Sequence, residues 1–106
     1  QHVAEERAAL QLRLEGKTTE ATLTQGVACD LTKLHLLEHG FEKANPTAID
    51  HFQCDGRLTQ EGDRALLEDV RFTHSTEKGP THQRACLRKG ERWHVDELVA
   101  PGVACP

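Results

Sequence analysis

Four cysteines, at positions 29, 54, 86 and 105, constrain this chain more than any other feature. They are even in number and widely spaced, and none forms a C-x-x-C pair. In a chain of 106 residues this pattern reads as two disulfides formed in an oxidising compartment rather than as four buried thiols of a cytosolic domain. Three pairings are possible. Cys29–Cys54 and Cys86–Cys105 are the expected pair, because each closes a moderate loop. The tail after Leu98 is also long enough to fold back onto the segment carrying Cys86.

The length supports one domain over residues 1–106. A net charge of −4 offers no basic face for a nucleic acid. No apolar run approaches the roughly 20 residues of a membrane span. The chain has no Met and opens Gln1-His2-Val3-Ala4. With the cysteines, this leads us to expect a periplasmic or secreted protein released from a signal peptide.

The clearest local signal is His82 to Leu98, two β-compatible runs around a Lys89-Gly90-Glu91-Arg92 turn. The two-residue period sends Trp93, Val95 and Glu97 to one face and His94 and Asp96 to the other. Trp93 is the only Trp in a chain without Tyr, so the core is expected to form against it, with Phe72 or the second helix as neighbour. Before the hairpin, Asp50 to Leu58, a Glu61-Gly62-Asp63 turn and Ala65 to Thr76 read as extended chain. Glu77-Lys78-Gly79-Pro80 is a turn.

The first third is more helical. Ala4 to Leu10 are strong helix formers and Gly16-Lys17 is a stop, although Leu10, Leu12 and Leu14 alternate as a strand would. Thr18 to Gln25 is Thr-rich and β-prone. Asp30 to Phe41 reads as a helix capped by Asp30, with Leu31, Leu34, Leu37 and Phe41 on one face. Asn45-Pro46-Thr47 is a loop. Gly26-Val27-Ala28-Cys29 recurs as Gly102-Val103-Ala104-Cys105, an echo too short to be a repeat. The expected fold is α+β: one or two N-terminal helices packed on a curved antiparallel sheet, a meander of about four strands, with two disulfides.

Gly62-Asp63-Arg64-Ala65 leading into Val70-Arg71-Phe72, then Leu87-Arg88-Lys89-Gly90-Glu91-Arg92-Trp93-His94-Val95, resembles the closing strands of NTF2-like domains. There a Gly-x-x-Trp turn and strand commonly ends a curved sheet. The resemblance spans roughly residues 62–98, and a cystatin-like roll fits the same residues. It implies a cone-shaped pocket that binds a small ligand or performs acid–base chemistry with His and Asp. The four cysteines and short helical half depart from that pattern.

Candidate chemistry is sparse. His35-Leu36-Leu37-Glu38-His39 sets two histidines one helical turn apart, suited to two ligands of one metal, with Glu38 as a base. A catalytic zinc needs a third protein ligand, which the sequence does not offer at fixed spacing. No metal or cofactor is therefore expected, and His35 and His39 are the weak candidates. His74, His82 and His94 are candidates for one sheet face, where histidines titrate near neutrality. Ser75, the only Ser, has no nucleophile elbow. Arg84, Arg88, Lys89 and Arg92 form the densest basic patch, the candidate contact for a protein partner. These features lead us to expect a binding module rather than an enzyme, an inhibitor or a toxin-immunity protein. The alternatives are the NTF2-like pocket domain and an accessory domain of a cell-envelope assembly.

Overall fold

The computed structural model describes residues 2–39, 49–74 and 81–106. Two helices, α1 (His2–Leu14) and α2 (Gln25–His39), pack on an open antiparallel sheet. Its strands are β1 (Ile49–Cys54), β2 (Leu58–Glu61), β3 (Arg64–His74), β4 (Thr81–Lys89) and β5 (Trp93–Val99). The order is β1-β3-β4-β5, with β2 beside β1 on the same edge of β3. This is the expected α+β meander with its first strand broken in two. Both disulfides form as paired above, Cys29–Cys54 and Cys86–Cys105. The first joins α2 to the end of β1, and each contributes about 3 kcal/mol by restricting the unfolded chain.

Close backbone approach breaks the first strand. At the Asp55-Gly56-Arg57 kink, Glu68 donates its N–H to the Arg57 carbonyl at 2.9 Å. A Cβ on Gly56 would stand 1.9 Å from the Glu68 carbonyl oxygen, so only glycine fits. Opposite the kink, β3 carries a bulge between Leu67 and Val70, with Asp69 at φ 55°. A second bulge opposes Cys86 and Leu87 to Glu97 and Val95 and leaves Asp96 unpaired. It reverses the alternation along β5. Trp93 and Val95 point into the core, but Glu97 is exposed beside Cys86, contrary to the simple two-residue period.

The core lies between the helices and one sheet face. Trp93 is 2% exposed, and Phe72, Leu67, Val70, Leu36 and Leu37 are equally buried. Side chains of this kind contribute about 1.5–3 kcal/mol each on burial. The first segment is helix, as its propensities favour: Leu10 and Leu14 are buried and Leu12 is exposed.

Three local expectations are corrected. Helix α2 begins at Gln25, not Asp30, because Thr24 caps it. The Thr24 hydroxyl accepts the Val27 N–H at 3.3 Å, and its carbonyl accepts that of Ala28. Asp30 instead binds the Arg13 guanidinium and ties α1 to α2. Gly26-Val27-Ala28-Cys29 is therefore helical, whereas its echo at 102–105 is not. Third, the β-prone Thr18–Gln25 stretch forms no strand. Its carbonyls at Thr18 and Glu20 receive the backbone and indole N–H of Trp93, at 2.8 and 2.9 Å. Further along, the Gln60 side chain accepts the Leu23 N–H and donates to the Ala21 carbonyl. Scattered single bonds to two separate strands replace a ladder. Phe41, Asn45-Pro46-Thr47, Ser75 and the Glu77-Lys78-Gly79-Pro80 turn lie outside the described residues.

Candidate functional site

Among the described residues, one face of the sheet meets the helices and the other does not. Cα register assigns side chains to the uncovered face, because directly opposed residues on paired strands point the same way. One row runs Glu61–Arg64–Arg88–His94 across β2, β3, β4 and β5. The next runs Thr59–Leu66–Cys86–Glu97. Further along β4, Arg84 opposes Val99, and His82 opposes Arg71.

The charges on this face are interlocked. Asp69 reaches His82 Nε2 at 2.8 Å and Arg71 Nη2 at 3.8 Å. The left-handed backbone of Asp69, at the β3 bulge, gives its side chain that reach. Arg84 lies 3.9 Å from Glu68. Asp96, the bulged residue of β5, holds Arg88 Nε and His94 Nε2, each at 3.0 Å. Carboxylates thus lie within ion-pair distance of Arg71, Arg84 and Arg88 along the face.

The tail crosses this face. Cys105 is bonded to Cys86, and the Arg84 guanidinium donates to the Val103 carbonyl. Beneath it Cys86 and Val99 are 4% and 6% exposed, although neither belongs to the core cluster on the helical side. A cavity of about 310 Å³ opens beside the strap, lined by Arg64, Leu66, Arg88, Asp96, the disulfide and Pro106.

The basic patch read from the sequence is therefore split. Arg84 and Arg88 lie on the uncovered face, whereas Lys89 ends β4 with its N–H donating to the Asp63 carbonyl. Arg92, in the turn, lines a different cavity of about 410 Å³ beneath the helices, floored by Leu14, Leu31, Leu34 and Trp93. Arg64 and Arg71 join Arg84 and Arg88 through the β3–β4 register, which linear clustering of basic residues missed. Arg64, Arg84 and Arg88 lie at even offsets along the hairpin, whereas Arg71 reaches the same face only through the β3 bulge, which no sequence signal marks. His82 and His94 share the uncovered face, but six residues along β4 separate their rows, roughly 20 Å at the rise of a strand. The side chain of His74 lies outside the described residues.

On α2, the rings of His35 and His39 lie 4.7 Å apart. Burial first, and then His39, lower the pKa of His35 below its usual value. A neutral imidazole is a competent ligand. Yet among the described residues no three His, Cys, Asp or Glu side chains gather to hold a metal ion. Glu38 is half-buried next to the pair. Among the described residues no helix is long and apolar enough to cross a membrane.

No family model, curated protein or solved structure matches this chain.

Proposed function

We propose that this protein is a small exported module that binds another protein through the uncovered face of its sheet, as an enzyme inhibitor or toxin-immunity protein does. The observation that carries the reading is the interlocked charge on that face: Asp69, His82, Arg71, Glu68, Arg84, Asp96, Arg88 and His94. Charged groups already held in place by neighbours lose little side-chain entropy on binding. Such arrays confer partner selectivity and fast association more than raw affinity. Two disulfides are compatible with export to an oxidising compartment and stiffen a small domain.

The test is affinity capture from periplasmic and secreted fractions on immobilised protein, with Arg84→Glu/Arg88→Glu as the comparison surface. A partner retained by the parent protein and lost by the charge-reversed variant supports the reading. A partner bound equally by both places the interface elsewhere. A captured species that is a stable envelope complex, rather than a free enzyme or toxin, favours the accessory-domain alternative.

A second reading, the NTF2-like pocket domain, is favoured by the 410 Å³ cavity over Trp93. Its lining includes Gln11, Glu15, Thr18 and Arg92 but neither His nor Asp, which supports ligand binding rather than His/Asp acid–base chemistry. Titration of Trp93 fluorescence with amphipathic dyes tests it; saturable quenching abolished by Leu34→Phe supports it.

A further inference from the structure

We propose that Cys86–Cys105 is a reducible latch, opened by a dithiol reductant while Cys29–Cys54 stays closed, and that its opening strips the strap of residues 100–106 from the uncovered face. The inference rests on the reading of that face as the binding surface and adds its regulation.

Three observations distinguish the two disulfides. Cys105 is exposed, whereas Cys29 and Cys54 are both half-buried between α2 and β1. The Cys105 end of the Cys86–Cys105 bond is therefore the more exposed of the sites an incoming thiolate could attack. The second observation concerns the leaving group. Attack at Cys105 expels Cys86 as a thiolate, and Arg84 and Arg88 flank Cys86 on the same face of β4. Nearby cations stabilise a thiolate, and a more stable thiolate leaves faster. Asp96 beside Arg88, Glu68 beside Arg84 and the exposed Glu97 opposite Cys86 offset part of this. The sequence neighbours of the other disulfide are acidic instead, Asp30, which is paired with Arg13, and Asp55. Third, among the described residues the strap has few other holds. They are the Arg84 bond to the Val103 carbonyl and a local turn from Val103 N–H to the Ala100 carbonyl at 3.0 Å. All its residues are exposed.

The exchange balances as follows. One thiolate of the dithiol bonds to Cys105 Sγ, the Sγ–Sγ bond breaks, and Cys86 leaves as a thiolate that takes up a proton. The second thiol of the reductant then displaces Cys105 and closes the reductant's own disulfide. Two electrons and two protons pass from dithiol to protein. The product exposes Cys86 and Val99, which the strap now covers, in the middle of the charged face. Reduced and oxidised forms thus present different surfaces to a partner.

The test treats the disulfide-intact protein with graded dithiothreitol, quenches with iodoacetamide and locates the label by peptide mass spectrometry. Cys86 and Cys105 are expected to be labelled about tenfold faster than Cys29 and Cys54, with helical circular dichroism retained. Labelling of Cys29 and Cys54 first, or of all four together with loss of helix, overturns the proposal. Arg88→Gln, which leaves the Arg84 bond to the strap in place, should slow labelling of Cys86; an unchanged rate overturns the role of the guanidinium. A Cys86→Ala/Cys105→Ala variant should stay folded and exchange the Val103 amide hydrogen faster than the oxidised parent; equal exchange overturns strap release. These readouts need no partner, so the latch can fail while the binding reading stands. Loss of the binding reading in the charge-reversal experiment leaves the labelling order intact.

Discussion

The indole N–H of Trp93 donates to the backbone carbonyl of Glu20 at 2.9 Å, joining residues 73 apart in sequence. The residue's own N–H donates to Thr18 at 2.8 Å. One side chain thus fills the core and also pins the α1–α2 connection against the free edge of β5. Trp93→Ala should cost about 3–5 kcal/mol and leave little of a domain this small folded. Trp93→Phe keeps most of the packing, loses the indole bond, and should cost about 1 kcal/mol for that bond beyond any packing loss. Urea unfolding of both variants checks this, and equal stability of Trp93→Ala and the parent protein would refute the core role.

Gly56→Ala should destabilise by about 3 kcal/mol, because the added methyl meets main chain at Glu68 rather than a flexible side chain. The thermal midpoint measures it. A near-neutral substitution would mean that the β1–β2 kink relaxes freely.

Thr24→Ala removes the hydroxyl that accepts the Val27 N–H and should cost about 1 kcal/mol. Asp30→Asn keeps the cap and should leave the start of α2 intact. If capping instead lay at Asp30, hydrogen exchange at Val27 and Ala28 would be fast in the parent protein.

His35 makes the fold less stable in acid. Burial and His39 lower its folded pKa below the usual histidine value of 6.5, so between those two values the unfolded chain binds more protons. Stability from this group therefore rises with pH across that window. The penalty is absent above it, grows as pH falls below about 6.5, and is complete below the folded pKa. In paired urea titrations at about pH 5 and pH 7.5, His35→Leu should lose less stability in acid than the parent protein. Equal losses in the two proteins would refute the assignment.

His35→Ala and His39→Ala are expected to leave partner capture unchanged. The check is metal content by mass spectrometry on untagged protein, followed by a peptidase assay with added zinc. Stoichiometric zinc lost in His35→Ala, with cleavage activity, would make the protein an enzyme.

The elements the sequence predicted well are those held by local rules. The hairpin around Lys89–Arg92 follows from turn composition and two-residue alternation, and α1 from helix propensity. The disulfide pairing follows from loop length and the reach of the tail. The misreadings share one cause. Thr18–Gln25 has strand propensity, but the indole and backbone of Trp93 and the amide of Gln60 use its carbonyls and N–H groups one by one. Asp30 has the chemistry of a cap, but a threonine six residues earlier caps the helix first.

The sequence by itself determined that this protein has one small core built against Trp93, an α+β meander and two cysteine ties, because apolar periodicity, turn residues and chain reach act over short distances. Only the tertiary structure decided which charges meet. Bulges at Asp69 and Asp96 turn single carboxylates onto the uncovered face, where each gathers a histidine and an arginine. The same register brings Arg64 and Arg71 beside Arg84 and Arg88, but Arg92 turns towards the helices. A one-residue bulge inverts every side chain beyond it, and its position depends on contacts between strands distant in sequence.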